Sequence, residues 1–423
     1  MIITLEIPSY SQSKSYYVDK NAIGSNNGNS WANAWVSFRN INWRNICPGD
    51  TIFISGGEDS TIYNETLNVR KSGVLDNRIV ITKDTEIGHN GKVIIDGEGK
   101  RENGIIISKN SNITIKGIAL RNSNLGLIEL SHADNIMIEA CEMDVNGRAG
   151  VYIEYSKESE IRRCIIEAGS YVDCQTDGIY SQYTVNNVYD HNHIVINNSE
   201  PSGHDDCIQS FKDNNLTIRS NYCEQNNSKT SNAQGIYTTM PTGGVFRFYN
   251  NIVNMGNAKS NGMSFRTLTG TGAVEIIGNT LYGIRSYSLM YVTETSNPII
   301  KNNIIYSEGT FYTAKLLNWN GNPDNINNNL VYAPNSNYVW NFNESSKNWS
   351  QWRALGFDAQ GKNADPKFKN IEEGDFSLQA ESPAIDAGAT LGSPYNIDIL
   401  GVTRPVGTAY DIGSYEWTDN NMK

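Results

Sequence analysis

Short apolar and polar stretches alternate along most of the chain, in the two-residue period of β-strands. Each stretch begins with a small residue and an aliphatic residue, and polar or aromatic side chains then alternate with apolar ones. Gly, Asn and Asp separate the stretches, and no segment of helical period interrupts them. The pattern predicts many short strands joined by tight turns.

These strands recur with a regular spacing. Aligned by their small residue and aliphatic, the segments start at Asn103, Leu125, Ala149, Asp177, Asp206, Gln234, Asn261, Tyr287 and Ala314. The starts are 22 to 29 residues apart, and a unit of that length cannot bury its own apolar face unless neighbouring units stack on it. The repeat therefore predicts an all-β fold, a right-handed single-stranded parallel β-helix.

One asparagine recurs in each repeat between the strand segments. In a turn, asparagine tolerates the left-handed backbone conformation, and its side-chain amide can bond the coil above. We therefore expect a ladder of stacked asparagines along one corner. Its members are Asn192, Asn221, Asn250, Asn279, Asn302 and Asn328.

The ends of the chain depart from the repeat. Ser30 is placed to cap an amphipathic helix from Trp31 to about Arg44, in which Trp35, Phe38 and Ile41 share one face. Near the other end, residues 344–358 predict a short helix that Gly356 ends. We expect a strand and capping helix in 1–47, the β-helix with its groove in 48–335, and a helical insert and C-terminal cap in 336–423.

Composition narrows the possible partners. The 423 residues carry a net charge of −11 without a basic run, which argues against nucleic acid, although a local cationic groove could still bind an anionic polymer. No apolar run is long enough to span a membrane. The six cysteines lack metal-ligand spacing, so we expect buried single thiols rather than a disulfide framework. We expect a monomer.

The aligned repeats place a polar cluster on one face. When the aliphatic points inward, the residues one and three places later point outward, and coils stack about 4.8 Å apart. The first outward column is Tyr152, Tyr180, Gln209, Tyr237 and Ser264, and the second is Glu154, Gln182, Phe211, Thr239 and Arg266. At the strand ends lie Tyr155, Tyr183 and Lys212, and we expect the columns to turn apolar at Ile106, Ile128, Met290 and Leu317. One such Tyr or Asp is ordinary β-helix surface, but the cluster fits an elongated sugar chain.

Motifs at both ends resemble those of bacterial secreted β-helix proteins of the pectate-lyase-like superfamily. They are Tyr17-Val-Asp, Pro48-Gly-Asp-Thr, Asp365-Pro-Lys-Phe, Ser382-Pro-Ala-Ile-Asp-Ala-Gly and Asp411-Ile-Gly-Ser-Tyr-Glu-Trp. The resemblance covers nearly the whole chain and implies the fold and a secreted location, although the first residues show no signal peptide. It leaves the chemistry open, because the superfamily holds lyases, hydrolases, epimerases and phage spikes.

One chemistry that fits the cluster is β-elimination on a polyuronate, which needs a neutralised carboxylate, a base and an acid. Lys212 is the candidate base and Tyr180 the candidate acid. The candidate substrate-binding residues are Tyr183, Gln182, His204, Gln209, Tyr237, Arg266, Asp177 and Asp206. The Lys212 and tyrosine arrangement resembles the β-helical alginate lyases of polysaccharide lyase family thirty-one, which implies alginate as substrate and no cofactor.

Other interpretations use different residues. Thr176-Asp-Gly and Asp205-Asp-Cys are similar to two motifs of polygalacturonases, which implies hydrolysis by Asp177, Asp205 and Asp206. The family's Gly-His-Gly and Arg-Ile-Lys are replaced here by Ala233-Gln-Gly and Ser264-Phe-Arg. The same carboxylates could instead hold Ca²⁺, as in some pectate lyases, although Gln209 stands where a fourth acid is expected.

A third class of function is sugar binding without catalysis. Its natural feature is a long aromatic strip without a base. The candidate strip consists of Trp319, Trp340, Trp349 and Trp352.

Overall fold

The computed structural model describes residues 12–169, 175–197, 204–226, 232–266, 273–284, 287–293, 298–319 and 321–419. Successive coils each contribute three strands, which pair in parallel with the same strands of the next coil and build three sheets. The predicted all-β parallel β-helix is confirmed.

The first sheet has twelve strands. In order of stacking they are Ser15–Val18, Thr51–Ile54, Ile79–Lys83, Ser111–Lys116, Asp134–Glu139, Glu160–Arg162, Val188–Asp190, Thr217–Arg219, Val245–Tyr249, Ala273–Ile277, Ile299–Lys301 and Ile326–Asn327. Each coil then turns a corner into the second sheet.

The second sheet begins at Ser60–Tyr63 and the third at Leu67–Val69, and the long strands Lys92–Ser108 and Ala119–Ser131 bend through the corner to join both. The second sheet continues with Glu142–Val145, Ile165–Ala168, His193–Ile196, Tyr222–Gln225, Ile252–Asn254, Thr280–Gly283, Ile304–Ser307 and Leu330–Tyr332. The third continues with Ala149–Glu154, Asp177–Gln182, Ile208–Phe211, Ile236–Thr239, Asn261–Arg266, Ser288–Thr293, Ala314–Leu317 and Trp340–Phe342, and ends with the antiparallel Ser345–Lys347.

Columns of aliphatic side chains fill the interior. In the third sheet, Ile105, Ile128, Val151, Ile179 and Ile208 stack in register on consecutive coils, and each is fully buried. Each coil thus completes the core of its neighbours, as the repeat predicted. The alternate side chains of the same strands face outward.

An asparagine ladder runs along one corner, as expected. Where two asparagines are adjacent in sequence, the second one forms the ladder and not the first, which was the one predicted. Asn251 accepts hydrogen bonds from the backbone N–H and side chain of Asn221 and donates to Asn279 Oδ1 at 3.0 Å. The ladder continues through Asn303 and Asn329, the second asparagine of each pair. The expected Asn250, Asn302 and Asn328 instead have left-handed backbones and bond the C-terminal segment.

The predicted helix from Trp31 to Arg44 is wrong. This segment contains only two 3₁₀ turns, Trp31–Asn33 and Phe38–Asn40, and Ser30 makes no side-chain cap. The backbone of Trp35 pairs with the first strand instead, because its N–H donates to Tyr17 and its carbonyl accepts from Asp19. The apolar residues at helical spacing are still buried, and they close the N-terminal end of the core.

A short helix near the C-terminus confirms the prediction in a shorter range, Trp349–Ala354. Asn348 and Gln351 form a reciprocal capping box, and Gly356 ends the helix with φ 94°. Of the tryptophans proposed as a binding strip, Trp340 and Trp352 are fully buried and stack at 4.6 Å. Trp319 is also a buried core residue and Trp349 packs against the same core, so this strip is not a binding surface.

The C-terminal segment folds over the second sheet. Its hairpin consists of the strands Phe368–Asn370 and Asp375–Leu378, which are joined by the 3₁₀ turn Ile371–Glu373. A separate 3₁₀ turn, Pro323–Asn325, precedes the last strand of the first sheet. Phe376 packs on Tyr282 at 5.6 Å. This segment therefore occupies the outside of the second sheet, on a different side from the predicted polar cluster.

The cysteine expectation holds only in part. Cys141 and Cys164 are buried free thiols, but Cys47 is exposed, and Cys207 and Cys223 form a disulfide between the third and second sheets. Both disulfide residues point into the core of neighbouring coils, which sequence spacing did not reveal. Cys174 lies outside the described residues.

Two polar stretches next to the cluster in sequence, 186–202 and 224–233, contain strand residues. The stretch 186–202 contains the strands Val188–Asp190 and His193–Ile196, and the stretch 224–233 begins inside Tyr222–Gln225. The remainders at 198–202 and 227–231 lie outside the described residues.

Candidate functional site

The outer face of the third sheet carries the two outward columns in the predicted register. Tyr152, Tyr180, Gln209, Tyr237 and Ser264 are Cα partners from one coil to the next. The second column, from Glu154 to Arg266, is paired in the same way. We call this surface the third-sheet face.

The polar column extends farther than the sequence predicted. Ile128 and Met290 point into the core, and their outward neighbours are Glu129 and Tyr291. Lys315 follows Tyr291 on the next coil. The expected apolar boundary is wrong at Ile128 and Met290, because the alignment was one residue out in these coils, which exchanges the two faces of a strand. Ile106 and Leu317 face outward as expected.

Arginine and lysine side chains lie on the tyrosine rings of this face. The Arg266 guanidinium carbon lies 5.6 Å from the ring centroid of Tyr237 and 5.1 Å from that of Tyr291. Lys315 Nζ lies 5.5 Å from the Tyr291 ring. Tyr291 is therefore held between two cations, and neither it nor Lys315 was among the predicted site residues.

Arg148 is another residue that sequence reasoning missed. It precedes the aligned strand, and its guanidinium carbon lies 5.2 and 5.0 Å from the ring centroids of Tyr152 and Tyr180, which stack at 5.1 Å. The Tyr152 hydroxyl donates to Glu154 at 2.6 Å, and the Tyr180 hydroxyl to Gln182 at 3.1 Å. Burial raises the pKa of Tyr180, which keeps this hydroxyl protonated.

Lys212 and Tyr183 are brought together at the far end of these strands. Lys212 Nζ lies 3.2 Å from the Tyr183 hydroxyl and about 5 Å from the rings of Tyr183 and Phe211. Tyr183 also stacks on Tyr155 at 5.0 Å. Tyr180 lies three residues earlier on the same strand, about 10 Å away along the backbone. Lys212 and Tyr180 thus face the surface from two different columns.

The three aspartates are fully buried beneath the start of the third-sheet strands. Oδ1 of Asp177 accepts from the backbone N–H of Asp206 at 2.9 Å, and Oδ1 of Asp206 from that of Gln234 at 2.7 Å. Asp205 accepts from Thr176 N–H at 3.0 Å. Burial raises the pKa of Asp177 and Asp206 well above the usual range, and the neighbouring Asp206 adds to the shift of Asp177.

His204 connects this buried row to the third-sheet face. Its Nδ1 lies 3.3 Å from Asp206 Oδ2, without the alignment of a hydrogen bond, and its ring meets that of Tyr237 edge-on at 5.6 Å. Gln209 stands between Tyr180 and Tyr237 in the first column, and its buried side-chain oxygen has no hydrogen-bond partner. His204, Gln209, Tyr237 and Arg266 thus converge on one patch.

Within the described ranges, no group of three or more His, Cys, Asp or Glu side chains is arranged to hold a metal ion. The buried aspartates each use one oxygen on a backbone N–H, and the second oxygens of Asp177 and Asp206 have no hydrogen-bond partner. In the same part of the chain, no helix is long and apolar enough to cross a membrane.

Three stacked sheets with a polar, aromatic outer face define a parallel β-helix protein. The chain belongs to the right-handed β-helix family, because a family model described as "Right handed beta helix region" matches residues 21–200 and 103–305. No curated protein matches the chain.

Several solved structures share this fold along nearly their whole length. The pectate lyase Pel9A superimposes with a TM-score of 0.67 at 16% identity, covering 97% of this chain and 98% of its own. XylC in complex with xylose gives 0.60 at 12%, covering 96% and 98%, and a rhamnogalacturonan lyase gives 0.51 at 13%, covering 87% and 95%. At these identities the likeness establishes the fold alone.

Proposed function

We propose that the chain is a polysaccharide lyase that cleaves a uronate-containing polymer, with alginate the first candidate, on the third-sheet face. The observation that carries the proposal is the row of cations on tyrosine rings, formed by Arg148, Arg266 and Lys315, in a protein of net charge −11. An anionic polymer needs such a local cationic surface. Tyrosines add hydroxyls and apolar ring faces, both of which suit sugar rings.

The reaction requires that negative charge on the uronate carboxylate be stabilised. Arg266 and Gln209 lie on the central coils, where a guanidinium and an amide can bind a carboxylate. A base then removes the proton from the carbon next to the carboxylate. The electron pair left behind forms a carbon–carbon double bond as the glycosidic carbon–oxygen bond breaks, and an acid protonates the departing oxygen.

In this proposal Lys212 is the base and Tyr180 the acid. To act as the base, Lys212 must take the proton in its unprotonated form, and the Tyr183 hydroxyl, 3.2 Å away, holds its nitrogen in place. Tyr180 carries its proton at neutral pH, since burial raises its pKa, and it can therefore supply that proton to the departing oxygen. The two side chains belong to different columns, so the sugar ring would lie between them. Gln182, Tyr237, Asp177 and Asp206 then form the walls and floor of the site.

His204 is the alternative base for the same reaction. Asp206 lies 3.3 Å from its Nδ1 and can orient the imidazole, while Tyr237 packs against it. We assign His204 to contact with the sugar because its position beside Gln209 and Arg266 suits carboxylate binding. Comparison of Lys212→Ala with His204→Ala tests this assignment: the base is the residue whose loss abolishes turnover while polymer binding persists.

A polygalacturonase-type hydrolase is the second candidate function, favoured by the raised pKa values of Asp177 and Asp206. A carboxyl kept protonated by burial can act as a general acid. Both side chains are nevertheless fully buried and bond the backbone of the next coil, so the geometry gives them a structural task. A calcium-assisted lyase would use the same carboxylates with Asp205, and its activity would depend on the metal.

The test is incubation with alginate, polygalacturonate and a glycosaminoglycan, each with and without EDTA, while ultraviolet absorbance and new reducing ends are followed. We expect absorbance from the unsaturated uronate to rise with reducing ends on alginate, and to survive EDTA. If EDTA abolishes the rise in absorbance, the lyase depends on a metal, and a calcium site would be the site of the reaction. Reducing ends without absorbance would refute the lyase and favour the hydrolase.

A further inference from the structure

A pair of exposed aromatic rings lies at the corner between the second and third sheets. Tyr287 and Phe311 occupy the same position on consecutive coils, three residues before the paired core residues Met290 and Ala314. Their side chains are 48% and 55% exposed, and their ring centroids are 6.1 Å apart with the planes inclined by 59°. The two rings thus form an open V on the surface.

Charged groups accompany these rings around a cavity of about 430 Å³. Lys259 borders it from one coil earlier. Glu308 also lines it, but its carboxylate accepts hydrogen bonds from the hydroxyls of Tyr282 at 2.9 Å and Tyr306 at 3.3 Å. The lysine is therefore the group that suits a negatively charged ligand, and the rings suit its apolar face.

The aromatic pair lies on the same two coils as the end of the third-sheet face. Tyr287 lies four residues before Tyr291 on one chain segment, and Phe311 four residues before Lys315 on the next. The first outward column runs from Gln209 to Lys315 across four coil-to-coil steps, about 19 Å at roughly 4.8 Å per step. The aromatic pair lies four residues before the end of this column, about 13 Å away along the strand direction, so a polymer that fills the column and turns towards the second sheet reaches it.

We propose that Tyr287, Phe311 and Lys259 form a distal subsite that binds a uronate unit of the polymer cleaved on the third-sheet face. This inference rests on the proposed function. One sugar ring packs on the aromatic V, and its carboxylate meets Lys259. The subsite favours long chains over short oligosaccharides, because only a long chain contacts it and the central patch together.

The test measures binding by affinity electrophoresis in gels containing alginate, so that it does not depend on turnover. The double variant Tyr287→Ala, Phe311→Ala should bind alginate about threefold to tenfold more weakly than the wild type, as expected for loss of aromatic contacts. The weakening should shrink for competing oligosaccharides too short to cross four coils. Leu400→Ala, which removes an apolar side chain 63% exposed in the C-terminal segment, is the control and should match the wild type.

Failure of the subsite and failure of the proposed function give different results. If the double variant binds alginate as the wild type does while the wild type releases unsaturated products, the subsite is refuted and the lyase stands. If the wild type neither binds nor cleaves alginate, polygalacturonate or a glycosaminoglycan, both are refuted. Lys259→Ala should weaken binding of these polymers and leave binding of a neutral glucan unchanged.

Discussion

Oδ1 of Asp177 accepts a hydrogen bond from the backbone N–H of Asp206 at 2.9 Å, and its other carboxyl oxygen is buried without a partner. The carboxyl therefore links two coils below the third-sheet face, where a negative charge is poorly solvated. Burial raises its pKa, and the neighbouring Asp206 raises it further. Asp177 therefore has the geometry of a structural residue that joins two coils, and not that of a catalytic residue that contacts the substrate.

Asp177→Asn should stabilise the protein at neutral and alkaline pH. A carboxyl with a raised folded-state pKa binds more protons in the folded state, so its contribution is fully present at acid pH. It is lost as the pH rises from the ordinary Asp value of about 3.9 towards the raised value. Asparagine keeps the oxygen that accepts from Asp206 and cannot ionise. Urea unfolding at pH 5 and pH 8 should show a flatter pH dependence for the variant.

Asp76→Asn is the control for this experiment, because Asp76 is exposed. It should leave the pH dependence of the unfolding free energy unchanged. If Asp177→Asn leaves the free energy of unfolding and its pH dependence unchanged but abolishes cleavage of every polymer, Asp177 is a catalytic residue. That result would favour the polygalacturonase-type hydrolase.

Asn251→Ala should destabilise the protein by about 3 kcal/mol or more, because several buried polar groups lose their partners. Asn251 accepts from Asn221 and donates to the carbonyl of Ile218 and to Asn279. The adjacent Asn250→Gly keeps the left-handed backbone and loses one bond, to the Ile397 carbonyl, so it should cost less. Urea unfolding of both variants checks the difference, and equal losses would contradict the ladder assignment.

Arg266→Ala should lower kcat/KM on the uronate polymer by about a hundredfold, the usual effect of removing a group that stabilises developing negative charge. Arg266→Lys should recover only part of the rate, since a lysine lacks the two-pronged guanidinium. Lys116→Ala removes an exposed cation paired with Glu139 on the first sheet and should have no such effect. Initial rates over a range of polymer concentrations measure these changes.

Tyr180→Phe should lower kcat by about a hundredfold or more, because the proton donor is lost while the ring stack on Tyr152 is kept. Tyr152→Phe is the matched control on the neighbouring coil, since that hydroxyl is already committed to Glu154. Steady-state rates for the two variants should therefore differ widely. Similar small losses in both would remove Tyr180 from the mechanism.

Much of the fold was predictable from the repeat, because stacked coils require the same alternation at each turn. Where several small and apolar residues follow one another, the alignment of a strand with its neighbours was predicted one residue out. Gly126 pairs with Ala149 rather than with Gly150, so Ile128 points inward and Glu129 outward. The doubled asparagines posed the same problem, since Asn250 and Asn251 look equivalent until their hydrogen bonds are known.

The helix predicted before the first coil failed for a different reason. Its apolar residues sit at helical spacing, but the backbone of Trp35 finds hydrogen-bond partners in the strand at Tyr17 and Asp19. Tertiary pairing thus overrode local amphipathicity. Sequence alone cannot show which partner a backbone group will find.

The site was predicted better along the strands than beyond them. The columns containing Tyr180 and Gln209 follow from strand alternation, and the structure places them in register. Arg148 was missed because it precedes the strand and reaches the rings through a long side chain. The contact between His204 and Asp206 depends on the path of a turn, which spacing does not specify.

The central claim is that this protein breaks a uronate polymer by elimination. The most direct test is mass spectrometry of the oligosaccharides released from alginate in water enriched in heavy oxygen, with wild type and Lys212→Ala compared. We expect the wild type to release unsaturated products that carry no heavy oxygen from solvent, and Lys212→Ala to release none. Saturated products that carry heavy oxygen at the new reducing end would contradict the lyase, because hydrolysis adds water across the broken bond and elimination leaves a double bond instead.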